Sequence, residues 1–278
     1  MKVAAAQIKL KTADIKFNEE NIITNAAKCN CDLIIFPQAE IDDLGGKDLV
    51  LDETCRKRQY DFYQAIADKN FKQNILIGDI LIRNGEIEVS DNGFFDICEK
   101  KVFVSDTYLD DVECDLYVLA KNRYFARNTY MDFVDNVQTS SNLIYINAIG
   151  IADENVFAGG SFAKNADNEL VLQMPLCQEA VEAVDFSHVI EFLDEPEEAQ
   201  ILAAATFALK EYCENTGFKK VVLGLSGGID SALTAAIAVK ALGADNVVGI
   251  MMPSMYSSEG SVIDSVKLAE NLGIKTVT

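Results

Sequence analysis

The segment Val221-Val-Leu-Gly-Leu-Ser-Gly-Gly-Ile-Asp-Ser231 joins an apolar run to a stretch of helical composition. Its first five residues predict a buried strand, and Ala232–Leu242, which ends before Gly243, predicts a helix. The chain then continues with a predicted strand at Val247–Met252, a helix at Ser261–Asn271 and a strand at Ile274–Thr278. This alternation predicts a parallel sheet with right-handed crossovers.

The turn between the first strand and the first helix is rich in glycine and serine. Gly227 and Gly228 lack Cβ atoms, so the backbone can come close to an anion and point N–H groups at it. The helix offers its positive N-terminal end to the same anion, and Ser226 and Ser231 add hydroxyl donors. The spacing fits neither a Walker A loop nor the three-glycine fingerprint of dinucleotide sites. The alternative is an ordinary turn in which Asp230 satisfies the first helical N–H groups.

A strand followed by Ser-Gly-Gly-Ile-Asp-Ser and a helix resembles the pyrophosphate loop of the N-type ATP pyrophosphatases. The resemblance implies that ATP and Mg²⁺ bind here. The loop would hold the phosphates, and Asp230 would ligate the cation, since a hard cation takes carboxylate oxygen and bridges phosphates. The residues that we expect at the ATP site are Leu225, Ser226, Gly227, Gly228, Asp230, Ser231 and Met252.

The segment Met251-Met-Pro-Ser-Met-Tyr-Ser-Ser258 ends the second strand. Ligands bind at the carboxyl ends of parallel strands, so this segment is expected to face the adenosine. It resembles the corresponding segment of the NAD synthetase family, although core packing is the simpler role for at least one of Met251 and Met252. The resemblance implies ATP-dependent adenylation of the carboxylate of deamido-NAD, which ammonia then attacks.

The first part of the chain alternates short apolar runs with amphipathic stretches, a pattern typical of an α/β fold. The predicted strands are Val3–Ile8, Leu33–Phe36, Ile75–Ile82, Val102–Val104, Leu116–Ala120, Leu143–Asn147 and Glu169–Gln173, and the predicted helices are Asn18–Cys29 and Cys55–Lys69.

Several of these runs resemble a nitrilase-type amidase domain. Val3–Ile8, Cys31-Asp-Leu-Ile-Ile-Phe-Pro37 and Leu76-Ile-Gly78 resemble its opening, and Ile144–Gly150 with Val156–Ser161 resembles its closing part. Their order is similar to that in the glutaminase half of glutamine-dependent NAD synthetases. The resemblance implies an α-β-β-α sandwich, followed here by the first part of a doubly wound parallel-sheet (Rossmann-like) ATP pyrophosphatase domain.

Nitrilase-type hydrolysis needs a Glu base, a Lys that stabilises the oxyanion and a Cys nucleophile. At the position implied for the Glu, after Phe36-Pro37, this chain has Gln38, whose amide cannot accept a proton. Asp106 stands where the Lys is expected, and the strand and helix expected to carry the nucleophile are missing after Leu109. Cys98 imitates the local nucleophile sequence but comes too early in the chain. We therefore predict an inactive glutaminase domain.

Charge separates the two parts of the chain. The 278 residues carry a net charge of −20, whereas residues 218–278 contain five Lys and five acidic residues and sum to zero. We predict an amidase-like domain at 1–186, an acidic linker with a connecting helix at 187–217, and the first part of a pyrophosphatase domain at 218–278. The sheet in this last part is too small to be covered on both faces, so the chain is expected to be a truncated form of a longer synthetase.

Composition excludes several classes of protein. The strongly acidic balance argues against nucleic acid and anionic membranes as partners, and the 49% hydrophobic content excludes a disordered chain. The seven cysteines lack paired spacing and the chain has a single histidine, which together indicate a cytoplasmic protein without a zinc site. Nitrilase-type domains commonly pack as symmetric oligomers, so a homo-oligomer is expected. A non-catalytic scaffold or regulatory protein and an active carbon–nitrogen hydrolase remain as alternatives.

Overall fold

The protein is described by a computed structural model over residues 1–40, 44–127, 130–253 and 259–278. The chain forms two compact units, Met1–Glu197 and Glu198–Thr278. Among the helices of the described residues, none combines the length and the apolar character needed to cross a membrane.

The first unit contains fourteen strands and three α-helices in its described residues. The strands are β1 (Val3–Gln7), β2 (Leu33–Phe36), β3 (Asn74–Ile77), β4 (Ile80–Arg83), β5 (Glu86–Val89), β6 (Phe94–Ile97), β7 (Lys100–Ser105), β8 (Leu116–Ala120), β9 (Asn142–Ile146), β10 (Ile149–Ala152), β11 (Asn155–Ala158), β12 (Phe162–Lys164), β13 (Leu170–Gln173) and β14 (Ala180–Val184). The helices are α1 (Ile15–Lys28), α2 (Glu53–Ala67) and α3 (Tyr130–Asn136).

Two six-stranded sheets form the centre of this unit. The first has the order β14-β1-β2-β3-β4-β5 and the second has the order β13-β12-β9-β8-β7-β6, while β10 and β11 form a separate hairpin. Strands β1, β2 and β3 are parallel to one another, as are β7, β8 and β9. The carboxyl ends of each parallel set therefore lie at one end of its sheet.

Alternating side chains assign the layers of the sandwich. In β2, Leu33 and Ile35 join a cluster shared with the second sheet, whereas Ile34 and Phe36 pack with α1 and α2. The outer face of the second sheet packs on α3, with Tyr145 and Val134 in the same cluster. Strands covered on both faces read as continuous apolar runs, which is why these runs showed no alternation in sequence. The predicted α-β-β-α arrangement is confirmed.

The expected strand Ile75–Ile82 is wrong, because the chain reverses inside it. Gly78 adopts a φ of +57°, and β3 and β4 pair antiparallel with Ile77 opposite Ile80. The run is apolar throughout because both strands are buried, so hydrophobicity alone did not mark the turn. The sequence pattern did not predict β5, β6, β10, β11, β12, β14 or α3.

The second unit contains α4 (Glu197–Thr216, which begins at the last residue of the first unit), β15 (Val221–Gly224), α5 (Ile229–Leu242), β16 (Val247–Ile250), α6 (Glu259–Leu272) and β17 (Lys275–Val277). The three strands are parallel, in the order β15-β16-β17. Each strand is therefore placed beside the preceding one, on the same side of it. Helices α5 and α6, which connect the strands, contact each other. The strand–helix alternation expected for this part of the chain is confirmed.

One face of this small sheet carries its core. Leu225, Val247 and Met251 pack with residues of α5 and α6, such as Ala235 and Ala269. Val222, on β15, is 61% exposed, and all of β17 is exposed. Within the described residues the other face of the sheet is thus incompletely covered, which is unusual for a parallel sheet.

Candidate functional site

The loop between β15 and α5 depends on a left-handed glycine. Gly227 has a φ of +74°, a conformation that costs other residues energy. A Cβ at this position would lie 2.4 Å from the carbonyl oxygen of Ser261 and 2.7 Å from its Cα. Both the backbone angle and the close approach to α6 therefore require glycine here.

Two serine hydroxyls hold the loop in shape. Ser231 Oγ accepts a hydrogen bond from the Ser226 N–H (3.2 Å) and donates one to the Gly228 carbonyl (3.0 Å). Ser226 Oγ accepts from the Gly228 N–H at 3.3 Å and lies 3.1 Å from Ser231 Oγ. These hydroxyls were predicted to donate to an anion, whereas their described contacts are within the loop.

The N-terminal end of α5 has no side-chain cap. Its N-cap residue is Gly228, which has no side chain, and the helix has no side-chain capping hydrogen bond. The first N–H groups of a helix lack partners within the helix and carry its positive dipole end. This end of α5 is consequently suited to bind an anion such as a phosphate.

Asp230 lies in the first turn of α5, because the helix begins at Ile229 and not at Ala232 as expected. The alternative role for Asp230, capping the helix, is absent, and in the described part of the chain its exposed carboxylate has no hydrogen bond or ion pair. At its backbone, the Asp230 carbonyl accepts a hydrogen bond from Thr234 Oγ1 (2.8 Å). The carboxylate is therefore free to take a ligand.

The remaining predicted ATP-site residues differ in exposure. The Leu225 side chain is 6% exposed and belongs to the core, so only its backbone can face a ligand. Met251 is also a core residue, whereas Met252, just beyond β16, is 76% exposed. The rest of the predicted adenosine-facing segment, 254–258, lies outside the described residues.

A metal at this site would depend on more than protein ligands. Within the described residues, no group of three or more His, Cys, Asp or Glu side chains could hold a metal ion. Magnesium commonly binds through one or two carboxylates together with substrate phosphates and water. The single free carboxylate of Asp230 fits that second mode and does not fit a preformed protein cage.

In the first unit, Gln38 lies two residues beyond β2 and is 8% exposed. Its backbone carbonyl accepts a hydrogen bond from Asn122 Nδ2 (2.7 Å), which links the carboxyl ends of β2 and β8. Its side-chain Oε1 is buried without a hydrogen-bond partner among the described residues. A Cβ on Gly78 would meet this oxygen at 1.7 Å, so Gly78 makes room for the amide.

Asp106 directly follows β7, and its carboxylate lies 3.6 Å from Lys121 Nζ. Lys121 directly follows β8, which is parallel to β7, so the sheet brings the two residues together. Lys121 was not predicted at this position, although its place directly after an apolar run is a signal in the sequence. The connection 106–115 contains no helix or strand. It is also shorter than the usual connection between parallel strands, which has about a dozen residues or more.

Cys98 is far from Gln38. It forms a two-residue hairpin turn with Glu99, where both residues have positive φ angles of 50° and 61°. Its Sγ accepts a long contact from Asn74 Nδ2 at 4.0 Å, and Asn74 pairs with the first residue of β2. Gln38 lies two residues beyond the other end of β2, and the strand alone spans about 10 Å. Cys98, whose neighbouring sequence imitates that of a nucleophile, therefore does not lie near Gln38, which occupies the position expected for the base.

Buried polar side chains that sequence analysis overlooked tie together the strand ends of this unit. Gln7 Nε2 donates to the carbonyls of Pro175 and Gln178, both at 2.8 Å, and its Oε1 accepts from the Ser161 N–H. Asn147 exchanges hydrogen bonds with the Arg123 backbone and donates to the Gly159 carbonyl. Their amides are satisfied by backbone groups, which indicates a structural role. A polar residue inside an apolar run was the signal in the sequence.

The comparisons with known proteins cover both units. A family model for NAD synthase matches residues 201–278. A glutamine-dependent NAD(+) synthetase of Synechocystis is 29% identical over 99% of this chain and 64% of its own length. Another, from Rhodobacter capsulatus, is 41% identical over 51% of this chain and 27% of its own length. The chain is similar to glutamine-dependent NAD(+) synthetases over both of its units.

Solved structures agree with the fold. A glutamine-dependent NAD(+) synthetase of Acinetobacter baumannii, solved with ADP, matches with a TM-score of 0.85 and 24% identity over 99% of this chain and 64% of that one. A carbon–nitrogen hydrolase of Helicobacter pylori matches with a TM-score of 0.51 and 13% identity over 66% of this chain and 88% of that one. At these identities the likeness concerns the fold alone. The chain spans 64% of the length of the Synechocystis and A. baumannii synthetases.

Proposed function

We propose that this chain is a carbon–nitrogen ligase of the NAD synthetase type, which uses ATP to amidate deamido-NAD with ammonia. The observation that carries the proposal is the glycine loop, held open between β15 and an uncapped α5 beside a free Asp230 carboxylate. The similarity of residues 201–278 to NAD synthase supports the same assignment.

The loop residues would bind the phosphates of ATP in the proposed mechanism. The N–H groups at the start of α5 would face phosphate oxygens, and Ser226 and Ser231 would keep the loop open through their mutual hydrogen bonds. Asp230 would be the protein ligand of Mg²⁺, which when bound supplies neutralisation of phosphate charge. A nicotinate carboxylate oxygen then attacks the α-phosphorus, pyrophosphate leaves, and ammonia displaces AMP from the adenylate.

Ammonia is proposed as the nitrogen source because the amidase-like unit lacks the chemistry for glutamine. Gln38 offers an amide in place of a base, and the carboxylate of Asp106 would repel a developing oxyanion. Cys98 lies at the other end of β2 from Gln38. We propose that this unit serves packing or assembly, in a cytoplasmic homo-oligomer whose size light scattering would measure.

A binding experiment tests the nucleotide site. Equilibrium dialysis of the chain with ATP and Mg²⁺ should show binding that Gly227→Ala weakens at least about tenfold, since the new Cβ displaces the loop. Gly217→Ala is the matched control, because Gly217 has a similar φ of +77° but open space around its Cβ position. Equal ATP binding by Gly227→Ala and the unaltered chain would contradict the proposed site.

A turnover experiment tests the reaction. The chain is incubated with ATP, Mg²⁺, deamido-NAD and either ammonium or glutamine, and NAD is measured. NAD formed with ammonium and not with glutamine supports the proposal. Glutamine-dependent NAD, or glutamine hydrolysis without ATP that Cys98→Ala abolishes, would contradict the inactive glutaminase site. Unchanged ATP with all substrates present would contradict the ligase assignment for this chain.

A further inference from the structure

Cys29 and Cys31 bring their sulfur atoms to within 3.1 Å of each other, the Cys29 thiol donating a hydrogen bond to Cys31 Sγ. Cys29 is the C-cap residue of α1, and its N–H donates to the Ala26 carbonyl at 3.2 Å. Cys31 lies two residues before β2. Both side chains are partly buried and pack against the cluster formed by α1, α2 and the first sheet. The flanking helix and strand therefore hold the pair together.

The separation of the two sulfur atoms is about 1 Å longer than a disulfide bond. Formation of the bond requires the two sulfur atoms to approach by that distance. A zinc site, by contrast, would need four ligands in tetrahedral array. The described residues contain no group of three potential metal-binding side chains, so the pair lacks the further ligands that a structural metal requires. Two adjacent thiols without such ligands are suited to two-electron oxidation.

A small molecule can reach the pair. The two cysteines line an open groove of about 660 Å³ between the ends of α1 and β14. Lys2 and Lys28 line the same groove, as do Glu182 and Asp185. The groove thus has both cationic and anionic residues in its lining, and it is large enough for a low-molecular-weight disulfide.

We propose that Cys29 and Cys31 form a redox-active dithiol, which a low-molecular-weight disulfide such as oxidised glutathione converts into an intramolecular disulfide. This site is independent of the proposed ligase function. It lies by the N-terminal ends of β1 and β2, whereas Gln38 and Asn122 lie beyond the carboxyl ends of β2 and β8.

The two steps balance in atoms and electrons. Burial raises the pKa of Cys31 to about 12, so Cys31 keeps its proton at neutral pH and Cys29 makes the first attack. The Cys29 thiolate breaks the S–S bond of the reagent, one thiol leaves, and a mixed disulfide forms on Cys29. Cys31 Sγ then attacks Cys29 Sγ, gives up its proton, and releases the second thiol. Two electrons pass from the protein sulfurs to the reagent.

No other pair of sulfur atoms in the described residues is in hydrogen-bond contact. Cys98 is exposed in its hairpin turn, and burial raises the pKa of Cys177 to about 12. An exposed single thiol such as Cys98 can form a mixed disulfide but lacks a neighbouring sulfur to resolve it. Among the described residues, we therefore expect an internal disulfide to form only between Cys29 and Cys31.

The test counts thiols and locates the new bond. The reduced chain, freed of reductant, is incubated with oxidised glutathione, treated with a small alkylating agent, and digested without reduction. We expect the peptide that contains both residues to lose two hydrogen atoms and to escape alkylation. In the unaltered chain the internal disulfide removes two of the seven thiols, and adding dithiothreitol restores them.

Three variants make the test specific. Cys31→Ser should stop at a mixed disulfide on Cys29. Cys29→Ser should form neither that mixed disulfide nor the internal disulfide, while Cys98→Ser should form the internal disulfide as the unaltered chain does. Circular dichroism of each variant establishes that it is folded. Full alkylation of both cysteines after oxidation, a disulfide to a different cysteine, or an internal disulfide that persists in Cys31→Ser would overturn the proposal.

Discussion

At the residue scale, Gln38 and Gly78 pack closely against each other beyond the carboxyl end of β2. Gly78 turns the chain from β3 into β4 with a φ of +57°, and the Gln38 amide occupies the space where a Cβ would be. Gln38 is thus a packing residue as well as a replacement for an expected base. A glycine that is required both for its angle and for its lack of a side chain is sensitive to any substitution.

Gly78→Ala should lower the free energy of unfolding by about 3 kcal/mol, the sum of backbone strain and overpacking. The double variant Gly78→Ala/Gln38→Ala should recover about 1 to 2 kcal/mol of this loss, because removal of the amide relieves the overpacking but not the strain. Urea unfolding of both single variants and the double variant measures this coupling. Strictly additive losses would show that the two side-chain positions do not compete for space.

At the element scale, β7 and β8 are held together at both ends by charged side chains. At their N-terminal ends, Asp115 accepts hydrogen bonds from Lys100 Nζ and the Lys101 N–H, both at 2.8 Å. At their carboxyl ends, Asp106 pairs with Lys121. The loop between these parallel strands has no helix to pack on the sheet, so these contacts help to define the strand pairing.

The contact with Lys100 and the N–H of Lys101 hold the pKa of Asp115 below its ordinary value. A carboxyl group with a lowered folded-state pKa stabilises the fold above its unfolded pKa of about 4 and loses that contribution as the pH falls through the folded value. Asp115→Asn should therefore lower the melting temperature at pH 7 and change it less below pH 3. Thermal melts across this pH range measure the difference.

Asp91→Asn is the control for this series. Asp91 is exposed in a turn and has no hydrogen bond or ion pair within the described residues. Its substitution should leave the melting temperature nearly unchanged at both pH values. A pH-independent effect of Asp115→Asn would mean that the residue acts through shape and not through charge.

At the scale of the whole molecule, the distribution of charge is the dominant feature. The net charge is −20, while residues 218–278 are balanced. Residues 165–209 hold ten acidic residues and no Lys or Arg. Repulsion among these carboxylates opposes the compact state, and counter-ions reduce it.

Raising the NaCl concentration from about 0.05 to about 0.5 M should therefore raise the melting temperature, because the Debye length shrinks to a few ångströms. Differential scanning calorimetry measures the shift. Sucrose at matched osmolality is the control for general exclusion effects. A fall in the melting temperature would mean that screened ion pairs, such as Arg127 with Glu197, outweigh the repulsion.

The helices, strands and turns that could be predicted from the sequence are those specified by residues close to one another along the chain. Strand β15, helix α5 and the glycine turn between them follow from an apolar run, two glycines and a helical stretch within about twenty residues. Strands buried on both faces were also visible, as continuous apolar runs. The reversal at Gly78 was hidden because its neighbours on both sides are equally apolar.

By itself, the sequence determined the order of helices and strands in the second unit, the glycine loop between β15 and α5, and the uneven distribution of charge along the chain. Only the tertiary structure decided that Asp106 meets Lys121, that Cys98 lies far from Gln38, and that Cys29 and Cys31 nearly touch. The reason is physical. Local conformation depends on each residue's own dihedral and burial preferences, whereas side-chain partners depend on strand register and on the direction in which a turn sends the chain.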